Sequence, residues 1–526
     1  MKQIASNIGL LWLALLMAVS VGCSGGGGAA AVEPSAPEPA PPPTAVTVEE
    51  AVGRVAPPTD VPTPASVEPT IVVEPLEPIE PCRLSAAAFT NVGLGVPRQS
   101  GFVPSLGTIK AAVLFADFSD APASETPEAT FARVSPDAPT FFQQLSYGRL
   151  TLELQPHLQW LRLSQPSAHY AGLIATGDGH RAFIQEAVNL ADAAVDFSNA
   201  DLVVVLANPE ATAIPYGPAF GASSGFPGIE ADGVSIPSGV TSGADLAYWG
   251  YLWLNHEMGH TMTLPDLYAY EDNGDGHRFV GTFGLMGLIS GNAPEFFAIE
   301  RWQLGWLDDG QIVCQTSGER TTALSAIEQA GGVKAVVVPT GGKTAVIVES
   351  RRALGFDTAI RKEGALVYTI DTATASGFGP IQVPSNQPDD PMRDQAPLAA
   401  GESFTLCNVT ITVTEARPDG DTVRVTVSEP NPCAAANAET TNPCADVPAA
   451  VQADVMVRFV NQSGTDVTVF WEESSGQLIE YFRVGDGAVF DQETYPTHKW
   501  VVQDAAGSVL LTYAASAEAT QCVLIP

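Results

Sequence analysis

Only seven histidines occur in the chain, and two of them flank a glutamate in the run His256-Glu257-Met258-Gly259-His260. Residues four apart on a helix point to one side, so the two imidazoles can share one Zn2+ ion. Glu257 lies beside them, placed to act as general base on a water in the open coordination position. Zinc brings the pKa of such a water to about 7, so attack on a carbonyl, above all that of a peptide bond, becomes feasible at neutral pH. The bland alternative, two merely polar helical histidines, requires this spacing around a glutamate to arise by accident.

A catalytic zinc usually takes three protein ligands. Asp266 follows His256 by ten residues, and Pro265 disfavours helix at Leu264, so a turn there can swing Asp266 back to the metal. Glu295 and Glu300 are rivals for that place, and Asp266 can instead simply brace the turn. Three other signals are weaker. Glu271-Asp272-Asn273-Gly274-Asp275-Gly276 alternates oxygen donors like the start of a Ca2+ loop, but Thr282 stands where the closing Glu belongs, so an acidic surface turn fits equally. His277 is placed to stabilise an oxyanion or to sit solvated in a loop. Cys82 suits a disulfide better than a latent zinc ligand.

These residues need elements to hold them. Residues 246–262 are rich in large apolar side chains without proline, which predicts one buried helix carrying both histidines. Two short apolar runs, 109–115 and 202–206, read as buried strands, with a helical pattern over 182–194 between them. Alternating strands and helices predict an α/β catalytic domain at 84–310. After Trp306 the texture changes to short β runs at 335–338, 345–349, 365–370, 409–413 and 423–427, which predict a β-sandwich at 311–430. Residues 431–449 read as a linker, and 450–526 as a smaller β module. The expected fold class is therefore multidomain α/β plus all-β, without internal repeats.

The N-terminus predicts export. Lys2 precedes a nearly all-apolar stretch, 8–19, too short to span a bilayer comfortably. Ser20-Val21-Gly22-Cys23 then resembles a bacterial lipobox, so 1–23 is expected to be a signal segment with Cys23 as the lipidation site. Removing Cys23 leaves six of the seven cysteines, an even number suited to disulfides in an oxidising compartment. The Pro- and Ala-rich stretch 24–83 cannot bury a core and reads as a stalk. The 59 acidic residues against 24 basic, a net charge of −35, exclude nucleic acid and leave a lipid anchor as the sole membrane contact. The expectation is a bacterial cell-surface lipoprotein, extracellular in its working part.

At this point the chain resembles a family. The run from His256 through Thr261-Met262-Thr263-Leu264-Pro265-Asp266-Leu267-Tyr268, followed by Gly284-Leu285-Met286-Gly287, is similar to the immune inhibitor A-type metallopeptidases. So are Phe115-Ala116-Asp117-Phe118-Ser119-Asp120, Leu145-Ser146-Tyr147-Gly148-Arg149-Leu150 and Leu304-Gly305-Trp306-Leu307. The resemblance covers roughly 105–430. It implies a metzincin-like catalytic domain with Met286 in the turn that floors the zinc site. Two departures stand out: Thr263 replaces a usual Gly, and Phe283-Gly284 replaces a usual Trp-Asp.

Residues 454–526 resemble the β domain of the von Hippel–Lindau tumour suppressor, through Val457-Arg458-Phe459-Val460-Asn461, Val469-Phe470-Trp471 and Thr494-Tyr495-Pro496-Thr497-His498-Lys499-Trp500. The resemblance implies that Trp471, Tyr481, Thr494, His498 and Trp500 bind a proline-rich or hydroxyproline-containing peptide. A plain stabilising domain, with these aromatics in its core, is the equal alternative. For the whole chain the expected function is a zinc-dependent endopeptidase acting on extracellular proteins. The rivals are a catalytically silent adhesin, against which Glu257 speaks, and a zinc hydrolase of non-peptide substrates.

Overall fold

The computed structural model describes residues 78–526, apart from 88–91, 175, 222–226, 271–273, 386, 388–389, 429–446, 451–452 and 474–475. The expected lipidation site Cys23, nearly all of the expected stalk, residues 271–273 of the calcium-loop candidate, and Cys433 and Cys444 lie outside the described residues.

The first sheet is built from β1 (Gly107–Asp117), β2 (Leu150–Arg162), β3 (Leu202–Ala207), β4 (Ala219–Gly221) and β7 (Ser238–Thr241), in the order β2-β1-β3-β7-β4. A separate hairpin, β5 (Ile229–Ala231) with β6 (Val234–Ile236), lies between β4 and β7 in sequence. Strands β2, β1, β3 and β7 run parallel, and only β4 is antiparallel to its neighbour. Parallel strands are covered on both faces, which explains why β3 is an uninterrupted apolar run buried throughout. Alternate residues of β1 enter two cores. Ile109, Ala111, Val113 and Phe115 join one, while Ala112, Leu114 and Ala116 join the other.

The connecting helices are α1 (Pro127–Phe131), α2 (Asp137–Leu145), α3 (Ser167–Leu173), α4 (Gly177–Ala191), α5 (Leu246–Trp249), α6 (Tyr251–Thr261) and α7 (Ala298–Gln303). Helix α4 packs Phe183, Ile184, Ala187 and Val188 on one face of the sheet. Helices α2 and α6 pack Phe141, Phe142, Leu145, Trp253, Leu254 and Met258 on the other. The single helix expected over 246–262 is in fact two, broken at Gly250. Gly250 takes φ 51°, and a Cβ there would lie 2.8 Å from the Arg133 carbonyl oxygen, so only glycine fits the corner.

Beyond the helices, β8 (Ile312–Cys314), β10 (Ala335–Pro339), β11 (Thr344–Arg351), β12 (Gly364–Asp371) and β13 (Ile381–Gln382) form a second sheet. It faces a third sheet of β9 (Gly318–Ser325), β14 (Ser403–Leu406), β15 (Val409–Arg417) and β16 (Gly420–Val427). Val336, Val338, Val346, Val348 and Val367 meet Ile411, Val413, Val423 and Val425 between these two sheets. The opposite face of the second sheet carries Val337, Ile347, Leu366, Tyr368 and Ile370 into the same core as α2 and α6. Alternation along each strand thus makes this sheet a wall shared by the β layers and the helical layer. The Cys82–Cys314 disulfide ties the segment before β1 to β8. Cys407 and Cys522 are disulfide-bonded as well.

The C-terminal strands are β17 (Val455–Asn461), β18 (Val467–Glu472), β19 (Leu478–Val484), β20 (Val489–Thr494), β21 (Lys499–Asp504), β22 (Val509–Ala514) and β23 (Thr520–Ile525). They form sheets β20-β17-β23 and β19-β18-β21-β22, which enclose Val457, Phe459, Val469, Phe482, Trp500 and Val502. The protein is thus mixed α/β with strand predominating. No helix among the described residues is long and apolar enough to cross a membrane.

Candidate metal centre

His256 and His260 sit one turn apart on α6, with ring centroids 4.9 Å apart and rings nearly perpendicular. Each ring is oriented by a backbone carbonyl: His256 Nδ1 donates to Leu285 O at 3.0 Å, and His260 Nδ1 donates to Leu264 O at 2.8 Å. With the proton on Nδ1, each Nε2 presents a lone pair. Asp266 Oδ1 lies 3.2 Å from both Nε2 atoms. The three atoms form the sole group of three or more His, Cys, Asp or Glu side chains among the described residues able to share a metal ion.

The fit to a cation can be tested on these distances. Three lone pairs converge on one point, an arrangement that repels itself unless something positive occupies the centre. Asp266 Oδ1 is buried and makes no hydrogen bond, an orphan that otherwise costs about 1–3 kcal/mol. Zinc-to-nitrogen and zinc-to-oxygen bonds of about 2.0–2.1 Å in a tetrahedron separate neighbouring ligand atoms by roughly 3.3 Å, close to the observed spacing. The donor set of two imidazoles and one carboxylate suits Zn2+.

The electrostatics agree. Burial alone lowers the pKa of His260, but the Asp266 carboxylate outweighs it and raises the group to about 9. Burial raises Asp266, yet the two imidazoles hold it well below the usual carboxylate range. Glu257 is half-buried on α6, and burial pushes it up to about 7 against the opposing pull of His256 and His260.

The chain reaches Asp266 through a tight turn. Leu264 N returns to Gly259 O at 2.9 Å and Thr263 N to His260 O at 2.9 Å, closing the end of α6. Thr263 takes φ 83°, the left-handed conformation that a glycine adopts freely. The β-branched residue is held there by Gly93 N on its carbonyl and by the Gln303 amide on its hydroxyl. Beneath the helix, a Cβ on Gly259 would lie 2.5 Å from Met286 Sδ, so Gly259 makes room for the methionine between the two histidine positions. Met286 O accepts from Leu267 N, and Gly284, at φ 75°, closes the turn by accepting from Gly287 N. A Cβ on Gly284 would lie 2.8 Å from the Phe297 ring, which accounts for glycine at this point.

Glu295 and Glu300 point elsewhere. Glu295 pairs with buried Arg301 and accepts from Phe356 N at 2.9 Å. Glu300 caps α7 through Phe297 N at 2.8 Å, and burial pushes it up to about 8. His277 Nδ1 donates to Gly287 O at 3.0 Å, so the ring braces the turn. Cys82 is consumed by its disulfide. Sequence reasoning missed the carbonyls of Leu264 and Leu285, because a backbone acceptor leaves no residue-type signal. It also missed Tyr268, stacked on His256 with centroids 6.3 Å apart, and Tyr270 and Ser376, which bond Asp266.

In the C-terminal sheets, Trp471 and His498 lie 5.4 Å apart, Thr494 Oγ1 is 3.1 Å from His498 Nδ1, and Tyr481 packs edge-on to Trp500 at 5.1 Å. Trp500 is 1% exposed and part of the core, whereas Tyr481 is 36% exposed. The indole nitrogens of Trp471 and Trp500 are both buried without a hydrogen-bond partner.

No protein-family model matches the chain, and no curated protein matches it. Among solved structures it is similar to metalloproteinase-II from Bacteroides fragilis, at 13% identity and a TM-score of 0.23. The match covers 42% of this chain and 58% of that one, so the chain spans less than two thirds of that structure's length. At that score the likeness adds nothing to the geometry.

Proposed function

We propose that the protein is an exported zinc-dependent endopeptidase of the immune inhibitor A type, with a metzincin-like catalytic domain, acting on extracellular proteins. One observation carries this reading: His256 Nε2, His260 Nε2 and the unbonded Asp266 Oδ1 converge on one point, with Glu257 on the same helix. Zinc held there supplies Lewis acidity and an acidified water, with a pKa of about 7. The two imidazoles and the Asp266 carboxylate would hold the ion, and the Leu264 and Leu285 carbonyls keep the rings aimed. Met286 floors the site with an apolar surface that keeps water from beneath. Glu257 takes the proton of the attacking water on its carboxylate and returns it to the departing amine nitrogen. A silent adhesin has no use for Glu257 in this position.

Glu257→Gln keeps every ligand and removes the base, so zinc content should stay stoichiometric while casein hydrolysis falls by about 10²–10⁴-fold. Undiminished hydrolysis by the variant would sink the mechanism. A chelator should silence the wild type, and activity surviving complete metal removal would do the same to the zinc assignment.

Export and anchoring belong to the same reading, supported by the segment ending at Cys23. Mass spectrometry of the exported protein should find lipid on an N-terminal Cys23; an unmodified N-terminus beyond it refutes the anchor. A second role rests on the C-terminal cluster. The indole N–H of half-buried Trp471, which has no partner, and the Thr494–His498 pair suit a ligand with hydroxyl or carbonyl acceptors, such as a hydroxyproline-containing peptide. Titrating the full chain with paired proline and hydroxyproline peptides decides it, and binding of neither returns the cluster to a purely structural role.

A further inference from the structure

The two oxygens of Asp266 are treated very differently. Oδ1 faces the histidines and makes no hydrogen bond, whereas Oδ2 accepts from the Tyr270 hydroxyl at 2.7 Å and from the Ser376 hydroxyl at 3.4 Å. The Tyr270 and Ser376 hydroxyls also lie 3.0 Å from each other, so the two form one hydrogen-bonded group around Oδ2. Each hydroxyl has one proton, and a carboxylate that remains ionised can only accept. Ser376 Oγ in turn accepts from Asp266 N at 2.9 Å, which fixes the serine beside Oδ2. The carboxylate cannot rotate about its Cβ–Cγ bond without exchanging a doubly bonded oxygen for a bare one.

Ser376 does not come from the helical layer. It lies between β12 and β13, the last two strands of the second sheet, 110 residues from Asp266. Two backbone hydrogen bonds lock this segment to the 266–270 turn: Gly377 N to Asp266 O at 3.1 Å, and Tyr270 N to Gly377 O at 3.1 Å. The Tyr270 ring lies against the α-carbon of Gly377, where a Cβ would come within 2.3 Å of the ring, and Phe378 meets its edge at 6.1 Å. The tyrosine is thereby held by packing, and its hydroxyl is free to act on Oδ2.

We propose that Tyr270 and Ser376 form a clamp that aims Asp266 Oδ1 at the metal, so that the β12–β13 connection of the second sheet is a working part of the zinc site. The proposal rests on the zinc reading of His256, His260 and Asp266. Tyr270 and Ser376 are positioning residues: neither touches the ion, and both act through one oxygen of its ligand. An unclamped carboxylate spends part of its time with Oδ1 turned away, and zinc dissociates from those orientations. Loss of one partner behind a metal ligand typically weakens affinity by about 10–100-fold. Because the two hydroxyls serve the same oxygen, their effects should not multiply independently.

The test is zinc affinity by chelator competition on the full chain, for wild type, Tyr270→Phe, Ser376→Ala and the double variant. Tyr270→Phe preserves the ring packed on Gly377 and Phe378, so the fold is retained while the hydroxyl alone is lost. Thermal unfolding of the zinc-free proteins supplies the second readout. The expected result is a roughly 10–100-fold rise in zinc Kd for each single variant, with zinc-free midpoints close to wild type. In a cobalt-substituted form, the visible spectrum of Tyr270→Phe should differ from that of wild type, as the carboxylate loses its fixed angle. Unchanged Kd values overturn the clamp. A lowered zinc-free midpoint with unchanged Kd overturns it too, since that is what mere bracing would give. A wild type that takes up no zinc overturns the underlying metal reading instead, and is distinguished from both by the absence of any reference Kd.

Discussion

His180 offers a test of the parallel-sheet layer in which the magnitude follows from its burial. The residue lies on α4, facing β7, with Nε2 2.8 Å from Thr241 Oγ1 and its ring edge-on to Phe220. Burial lowers its pKa to about 3, against 6.5 for an open histidine. The unfolded chain binds a proton that the folded chain refuses, so the stability difference is present above pH 6.5 and is lost as pH falls below it. Integrating between those two values gives a loss of about 2 kcal/mol by pH 5 and about 3 kcal/mol by pH 4, relative to pH 7. His180→Gln keeps a hydrogen-bonding partner for Thr241 but cannot titrate. Denaturant unfolding of both proteins at pH 7 and pH 5, with zinc removed, isolates the effect, because every other titrating group is shared. The variant should lose about 2 kcal/mol less than the wild type over that interval. Equal losses, or a His180 resonance titrating near pH 6.5 in the folded protein, would refute the reasoning.

Asp266→Ala should empty the metal site on dialysis, whereas Glu300→Gln, which replaces a carboxyl already pushed up to about 8, should keep both its zinc and its stability. A Glu300 variant that empties would reverse the ligand assignment. Glu295→Ala strands the buried Arg301 charge and should cost about 3–5 kcal/mol in unfolding free energy, yet leave the zinc content of folded molecules intact. Gly259→Ala drives a methyl against Met286, whose sulfur would lie 2.5 Å away, and should destabilise by about 1–3 kcal/mol while weakening zinc binding. Retention of wild-type stability and affinity would show that the methionine floor moves freely. Thr263→Gly relieves roughly 1–2 kcal/mol of left-handed strain and adds about 0.5–1 kcal/mol of unfolded-chain freedom, so a small net stabilisation is expected in denaturant titration. A loss beyond about 1 kcal/mol would mean that the Gln303 contact outweighs the strain.

Much of the candidate metal site's geometry was legible locally, because its three side chains lie within eleven residues. His256 and His260 share a face through helical periodicity alone, and Pro265 announces the turn that returns Asp266. The buried strands β1 and β3 were legible for a similar reason, since a run of apolar residues too short for a helix can hide both faces only in a covered sheet. The break at Gly250 was not, because a helical pattern tolerates an isolated glycine and nothing local reveals the Arg133 carbonyl that occupies the space of a side chain.

The choice among carboxylates was decided only by tertiary structure. Asp266, Glu295 and Glu300 are chemically equivalent as ligands, and composition cannot separate them. Folding gives Glu295 to Arg301 and Glu300 to the start of α7, and it leaves one oxygen of Asp266 with no partner beside the two histidines. The same holds for Ser376, 110 residues away, and for the carbonyls of Leu264 and Leu285. Residue types and short spacings name the groups that can do chemistry, because those depend on neighbours along the chain. Which of them are left unpaired, and aimed at a common point, depends on neighbours brought together by the core, and only the folded chain specifies those.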